Sequence, residues 1–138
     1  MMRTLLVMMA LFEAPLGVTL ILAPARVTRL LLGIAVEGPP ALVLGRVAGA
    51  AVLALGLACW LARNDGSSSA TRGLLAAMLL YNLSALAVLS YAVAGDNLFG
   101  VLVVPAVALH ALLAGWCFRI LRSGDVPPAN AVIRTRSE

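Results

Sequence analysis

Four apolar runs of about twenty residues each, separated by polar or glycine- and proline-containing links, dominate this sequence. A helix rises ~1.5 Å per residue, so roughly twenty residues cross the ~30 Å hydrocarbon core of a bilayer. The runs extend from about Thr4 to Ala23, Ala41 to Ala62, Gly73 to Ala94 and Phe99 to Leu121. Of the 138 residues, 62% are hydrophobic and 12% charged, against ~45–50% apolar and ~25% charged in soluble domains. A water-soluble fold of this length could not cover so much apolar surface. The expected fold is an all-α integral membrane four-helix bundle, one domain over residues 1–122. The polar segment 123–138, with Pro127 and Pro128, is expected to be a disordered tail.

The links differ in kind. Residues 63–72, from Arg63 through Asn64, Asp65 and Gly66 to Arg72, form an ordinary polar loop. Gly95-Asp96-Asn97 is a tight turn, which makes the third and fourth spans antiparallel neighbours. Between Pro24 and Pro40, Arg26 and Arg29 alternate with Val27, Leu30, Leu31, Ile34 and Val36. That stretch is too short to cross and predicts a short amphipathic helix, Arg26 to Val36, lying in the interface and closed by Gly38-Pro39-Pro40.

Orientation follows from the basic residues near the span ends. All ten are arginines. Arg3, Arg63, Arg72, Arg119, Arg122, Arg134 and Arg136 fall on one side and Arg26 and Arg29 on the other, seven against two. Both termini are therefore expected in the cytoplasm, with Trp60 and Trp116 in the belt on that side. The arginines form no basic face interleaved with aromatics, so nucleic acid is not an expected partner. A rival reading of the first run is a signal peptide ending near Ala23-Pro24-Ala25. Its length of about 20 residues exceeds the usual ~7–15-residue apolar stretch, and Glu13 and Pro15 interrupt it.

Polar groups inside a span are costly and point by default to a site. Glu13, Asn82 and His110 each fall near the middle of a span, and Arg46 about five residues inside the second. A central cluster is one expectation, with Glu13 and Arg46 paired and Asn82 and His110 completing the hydrogen bonds. The alternative is a structural pin that fixes helix order and does nothing else. Pro15 should deprive the carbonyl of Leu11 of its helical partner and kink the first span; Pro105 does the same to Val101 near the start of the fourth. Tyr81, Ser84, Val88 and Tyr91 share one helical face, and Ala106, His110, Ala114 and Cys117 another; both stripes are expected to face inward.

Gly45, Gly49 and Gly56 share a face of the second span. Such a face admits close packing against another span, or against a second copy or another membrane protein. Cys59 and Cys117 lie outside any redox motif and read as small buried residues. One histidine cannot supply a multi-histidine zinc site, and no Gly-rich phosphate loop is present. No catalytic residues, metal or cofactor are therefore expected.

Several short motifs carry a family resemblance. Glu13-Ala-Pro15-Leu-Gly17 is followed by an amphipathic segment ending at Gly33, then by Leu44-Gly-Arg46-Val-Ala-Gly49 and Leu55-Gly56. With Ala58-Cys-Trp-Leu-Ala-Arg63, Met78-Leu-Leu-Tyr81-Asn82 and Pro105-Ala-Val-Ala-Leu-His110, these cover most of the chain from Leu11 to Leu121. The layout resembles an uncharacterised branch of the DoxX-like small four-span bacterial membrane proteins. The resemblance implies a four-helix bundle in a bacterial inner membrane and no settled activity. Some DoxX-like proteins serve as accessory subunits of oxidoreductase systems.

Three functional classes follow. The first expectation is a non-enzymatic accessory or scaffold protein. The second is a binder or carrier of a small hydrophobic or amphipathic molecule, such as a lipid or quinone, at Glu13, Arg46, Tyr81, Asn82 and His110. The third is a subunit of a membrane oxidoreductase. The orientation is open to direct test. A cysteine substituted for Ser68 should escape a membrane-impermeant thiol reagent in intact cells and react once the membrane is opened. Labelling from outside would reverse the assignment.

Overall fold

The computed structural model describes residues 1–66 and 68–123, so most of the expected tail, including Arg134 and Arg136, lies outside the described residues. Among the described residues five helices follow one another: α1 (Met2–Leu22), α2 (Pro24–Leu32), α3 (Pro39–Ala62), α4 (Ser69–Ala94) and α5 (Val103–Arg122). All but α2 are long and apolar enough to cross a membrane, and they form a four-helix bundle. The chain is thus an all-helical, multi-pass membrane protein.

The helix ends depart from the sequence reading where capping decides them. Pro39 and Pro40 occupy the first two positions of α3, where the missing N–H groups have no helical partner in any case. Helix α4 starts at Ser69, ahead of the expected Gly73, because the Ser68 hydroxyl accepts a bond of 3.1 Å from the N–H of Thr71. The amphipathic helix α2 begins two residues early and stops at Leu32, short of the expected Val36. Gly33 adopts φ +80 and returns its N–H to the carbonyl of Arg29 at 3.0 Å.

Residues 99–102, which the sequence places at the start of the fourth span, form a strap instead. The N–H groups of Gly100 and Leu102 reach the carbonyls of Leu31 and Leu30, at 3.2 and 2.9 Å. They thereby satisfy C-terminal carbonyls that α2 cannot satisfy itself. A Cβ on Gly33 would lie 2.7 Å from the carbonyl oxygen of Phe99. Helix α2 is thus fastened to the α4–α5 connection, with Pro24 and Val27 buried beneath it. Because the helix proper starts at Val103, Pro105 sits in its first turn, where its ring displaces no helical bond.

The helices associate as two antiparallel pairs, α1 with α3 and α4 with α5. Small residues make the first pair close. A Cβ added at Gly56 would meet Ala14 backbone at 2.8 Å, one at Gly49 would meet Gly17 and Ile21 backbone at 2.8 Å, and one at Gly45 would meet Pro24 at 2.7 Å. As α1 advances, its partners on α3 recede, which makes the pair antiparallel. Gly49 and Gly56 therefore pack against a span of the same chain, and Gly45 against the first residue of α2. Gly17 completes the seam from the other side: its Cβ would stand 2.5 Å from the Leu53 nitrogen.

One half of the bundle is a tight apolar core, built from Leu5, Leu6, Met9, Cys59, Leu75, Met78, Leu113 and Cys117. Both cysteines are free thiols buried in it.

The seam is testable. Gly49→Val places two methyl groups against backbone that cannot swing aside, and should cost at least the ~1–3 kcal/mol typical of overpacking. Gly73, whose Cβ would meet nothing within 4 Å, is the control. Gly73→Ala should be neutral or stabilising by up to about 1 kcal/mol. Thermal unfolding in mild detergent reads both.

Candidate functional site

The buried face of α4 runs through Thr71, Leu75, Met78 and Asn82, each about one turn from the next. On α5 it runs through His110, Leu113, Ala114, Cys117 and Ile120. Both faces change from apolar to polar at one level, where Asn82 is fully buried and His110 is 8% exposed. Helix α1 does the same, passing from Met9 and Ala10 to Glu13, which is 2% exposed. Three helices thus bring the three mid-span polar residues into one layer directly above the apolar core.

The bonds within the layer fix its atoms. Asn82 Nδ2 donates to the carbonyl of Met78, one turn back, at 2.7 Å. A carbonyl only accepts, so the amide nitrogen must face Met78, and Oδ1 faces α5. There Oδ1 lies 2.9 Å from His110 Nδ1. Since Oδ1 is itself an acceptor, Nδ1 carries the hydrogen and donates it. Tyr81 also packs against the imidazole, edge to face, with ring centroids 5.8 Å apart and an interplanar angle of 80°. Its hydroxyl donates to Glu13 Oε2 at 3.1 Å. The four side chains are therefore continuous from α1 through α4 to α5. Among the described residues no sealed side-chain nitrogen or oxygen lacks a hydrogen-bond partner, as hydrocarbon surroundings demand.

Arg46 does not join this layer, which corrects the expected Glu13–Arg46 pair. It is exposed. Its neighbour Gly45 packs on Pro24, whereas Gly56 packs on Ala14 and the Cβ of Glu13. Those positions are separated along α3 by a rise of roughly 16–17 Å at ~1.5 Å per residue. Arg46 sits at the level of α2, near the end of the bundle. The stripe from Tyr81 to Tyr91 is also corrected. Only Tyr81 turns partly inward; Ser84 is exposed, and Val88 and Tyr91 are 66% and 67% exposed. Two residues along a helix are about 200° apart, so Ser84 faces away from the buried Asn82. The α5 stripe is buried at His110, Ala114 and Cys117 and half-buried at Ala106.

Above the polar layer the bundle opens. A groove of about 270 Å³ runs between Leu16 and Leu20 of α1 and Ala85 and Leu89 of α4, with α2 over it and His110 in its wall. The exposed Val88 marks its lipid-facing mouth. A larger groove, about 860 Å³, lies between α1 and α5 near Phe12 and Trp116. It is bordered by Arg119, and none of the four polar-layer residues enters it.

Sequence reasoning missed Gly17 as a seam residue and the groove itself. Ala10, Ala14, Gly17 and Ile21, at i, i+4, i+7 and i+11, carried the signal for the first. The groove had none, because it depends on how far apart α1 and α4 stand.

Comparison with protein-family models, with curated proteins and with solved structures finds no match for this chain.

Removing bonds from the polar layer should register in stability. Asn82→Leu strands the Nδ1 hydrogen of His110 and should cost about 1–3 kcal/mol. Tyr81→Phe removes one interhelical bond and should cost less, about 0.6–1.7 kcal/mol. Ser84→Ala, on the exposed face of the same helix, should stay within about 0.5 kcal/mol. Equal effects at Asn82 and Ser84 in detergent unfolding would contradict the bonding scheme.

Proposed function

We propose that the protein binds a small amphipathic molecule, a lipid or quinone, within the membrane, in the groove that ends at the polar layer. We place both termini in the cytoplasm of a bacterium, so that the groove lies in the outer half of the inner membrane. The arginines support this orientation. Arg3, Arg63, Arg72, Arg119 and Arg122 belong to the end of the bundle that holds Met1, and Arg26, Arg29 and Arg46 to the α2 end, five against three. Kinship with the DoxX-like proteins belongs to the same proposal and rests on the motifs alone.

The observation that carries the reading is the meeting of groove and polar layer at His110. A bundle held together only by a polar pin has no need of an opening onto its one imidazole. Apolar walls with a few placed polar groups are the usual form of a small-molecule site. The volume, about 270 Å³, falls just below the usual range of ~300–1,000 Å³. It suits the polar end of an amphiphile whose chain continues among the lipids outside. An accessory or scaffold role asks nothing of this groove, and is the outcome if the groove binds nothing.

Native mass spectrometry of protein released from mild detergent tests the proposal. The wild type should retain one lipid-sized adduct. Ala85→Trp, which fills the groove from its α4 wall, should lose that adduct while remaining folded. Identical adducts in both, or none in either, would reject the groove as a site and leave the accessory reading.

A further inference from the structure

Two of the groove's lining side chains carry polar atoms, Thr28 and His110. Thr28 is committed on both counts. Its hydroxyl donates to the carbonyl of Ala25 at 3.2 Å and accepts from the N–H of Val36 at 3.0 Å. It belongs to the fastening of α2 and has little to offer an occupant. His110 differs. Its Nδ1 donates to Asn82, and the Asn82 amide cannot turn over without placing its oxygen against the Met78 carbonyl. With the hydrogen held on Nδ1, the other ring nitrogen, Nε2, is the basic one and carries a lone pair.

That second nitrogen has no hydrogen-bond partner among the described residues, yet no sealed side-chain atom there is unpartnered. Nε2 is therefore open, on a side chain more than nine-tenths buried that forms part of the groove wall. A lone acceptor inside an apolar groove selects for a donor. It gives no bond to an ester, ether or ketone oxygen, and an apolar chain end would leave it unpaired.

Building on the groove reading above, we propose that the occupant is an amphiphile whose polar end is a hydroxyl, an aliphatic alcohol or a phenol, which admits a reduced quinone and rules out the oxidised one. The hydroxyl donates to His110 Nε2, and the apolar chain leaves past Val88 into the lipid. Asn82 acts as a positioning residue: it holds the tautomer that makes Nε2 an acceptor. Tyr81 packs against the imidazole and takes no part in the contact, because its own hydrogen goes to Glu13.

The chain's single histidine makes the test direct. Wild-type protein in lipid nanodiscs, labelled with ¹⁵N at histidine and ¹³C at leucine and valine methyls, is titrated with 1-dodecanol and, separately, with dodecyl methyl ether. The two probes share a chain, and the ether lacks the donor. Dodecanol should shift both the Nε2 resonance and the methyls of Leu16, Leu20 and Leu89. The ether should leave Nε2 unmoved and bind about tenfold more weakly, the worth of one hydrogen bond. If both probes move the methyls equally and neither moves Nε2, the hydroxyl inference is wrong and the groove stands. If neither probe moves the methyls, the groove reading fails with it. Ala85→Trp serves as the blocked control and should abolish both dodecanol responses; persistence of the Nε2 shift there would place the alcohol elsewhere and overturn the proposal.

Discussion

The close approach of α1 to α3 is the contact on which the rest of the bundle depends. Inside a bilayer, packing Leu on Leu gains little over packing Leu on lipid, so helices adhere through close backbone contact and hydrogen bonds. Gly17, Gly49 and Gly56 remove the side chains that would hold the two helices apart. At Gly56 the backbone of α3 meets Ala14 and the base of Glu13. The carboxyl has no room on that side, and it reaches across the bundle to Tyr81 on α4. The seam thus fixes the direction in which the buried acid of α1 points, and with it the depth of the polar layer.

That layer divides two regions of different packing. On the N-terminal side the four long helices close on large apolar side chains with no exposure at all, including Leu5, Leu6, Leu75 and Met78. On the α2 side α1 and α3 stay in contact, and a groove opens between α1 and α4. A short helix takes up the space, and it needs its own fastening because nine residues are too few to be stable alone. The strap from the α4–α5 connection and the Thr28 bonds supply it. The groove is what remains beneath this helix, between walls held apart by the bundle and above a floor set by hydrogen bonds.

Much of this was legible in the sequence, for reasons that can be named. The bilayer demands about twenty apolar residues per crossing, so Met2–Leu22 and its three counterparts announced themselves by length. Glu13, Asn82 and His110 stood out because polar groups are rare in such runs, and mid-span position was enough to put them at one depth. Arg46 misled because span position gives depth only along its own helix. The pairing of Gly45 with Pro24 shows how far the antiparallel register carries it from Glu13. The stripe ending at Tyr91 misled because small and semi-polar side chains do not mark an inward face: Ser84, Val88 and Tyr91 all lie on the exposed face of α4. Tyr81, named for that stripe, proved important through Glu13 and His110. No periodicity reports such a contact, since it joins positions 68 residues apart in the chain.

The polar layer and the groove meet through one atom, the hydrogen between His110 and Asn82. If it sits on Nδ1, the imidazole is oriented by α4, and its other nitrogen is free to face the groove. Nitrogen NMR of the single imidazole in ligand-free wild-type protein reads this directly. A protonated Nδ1 that reverts to mixed tautomers in Asn82→Leu is the result the structure predicts. A bare Nδ1 in the wild type, with the hydrogen on Nε2, would contradict it.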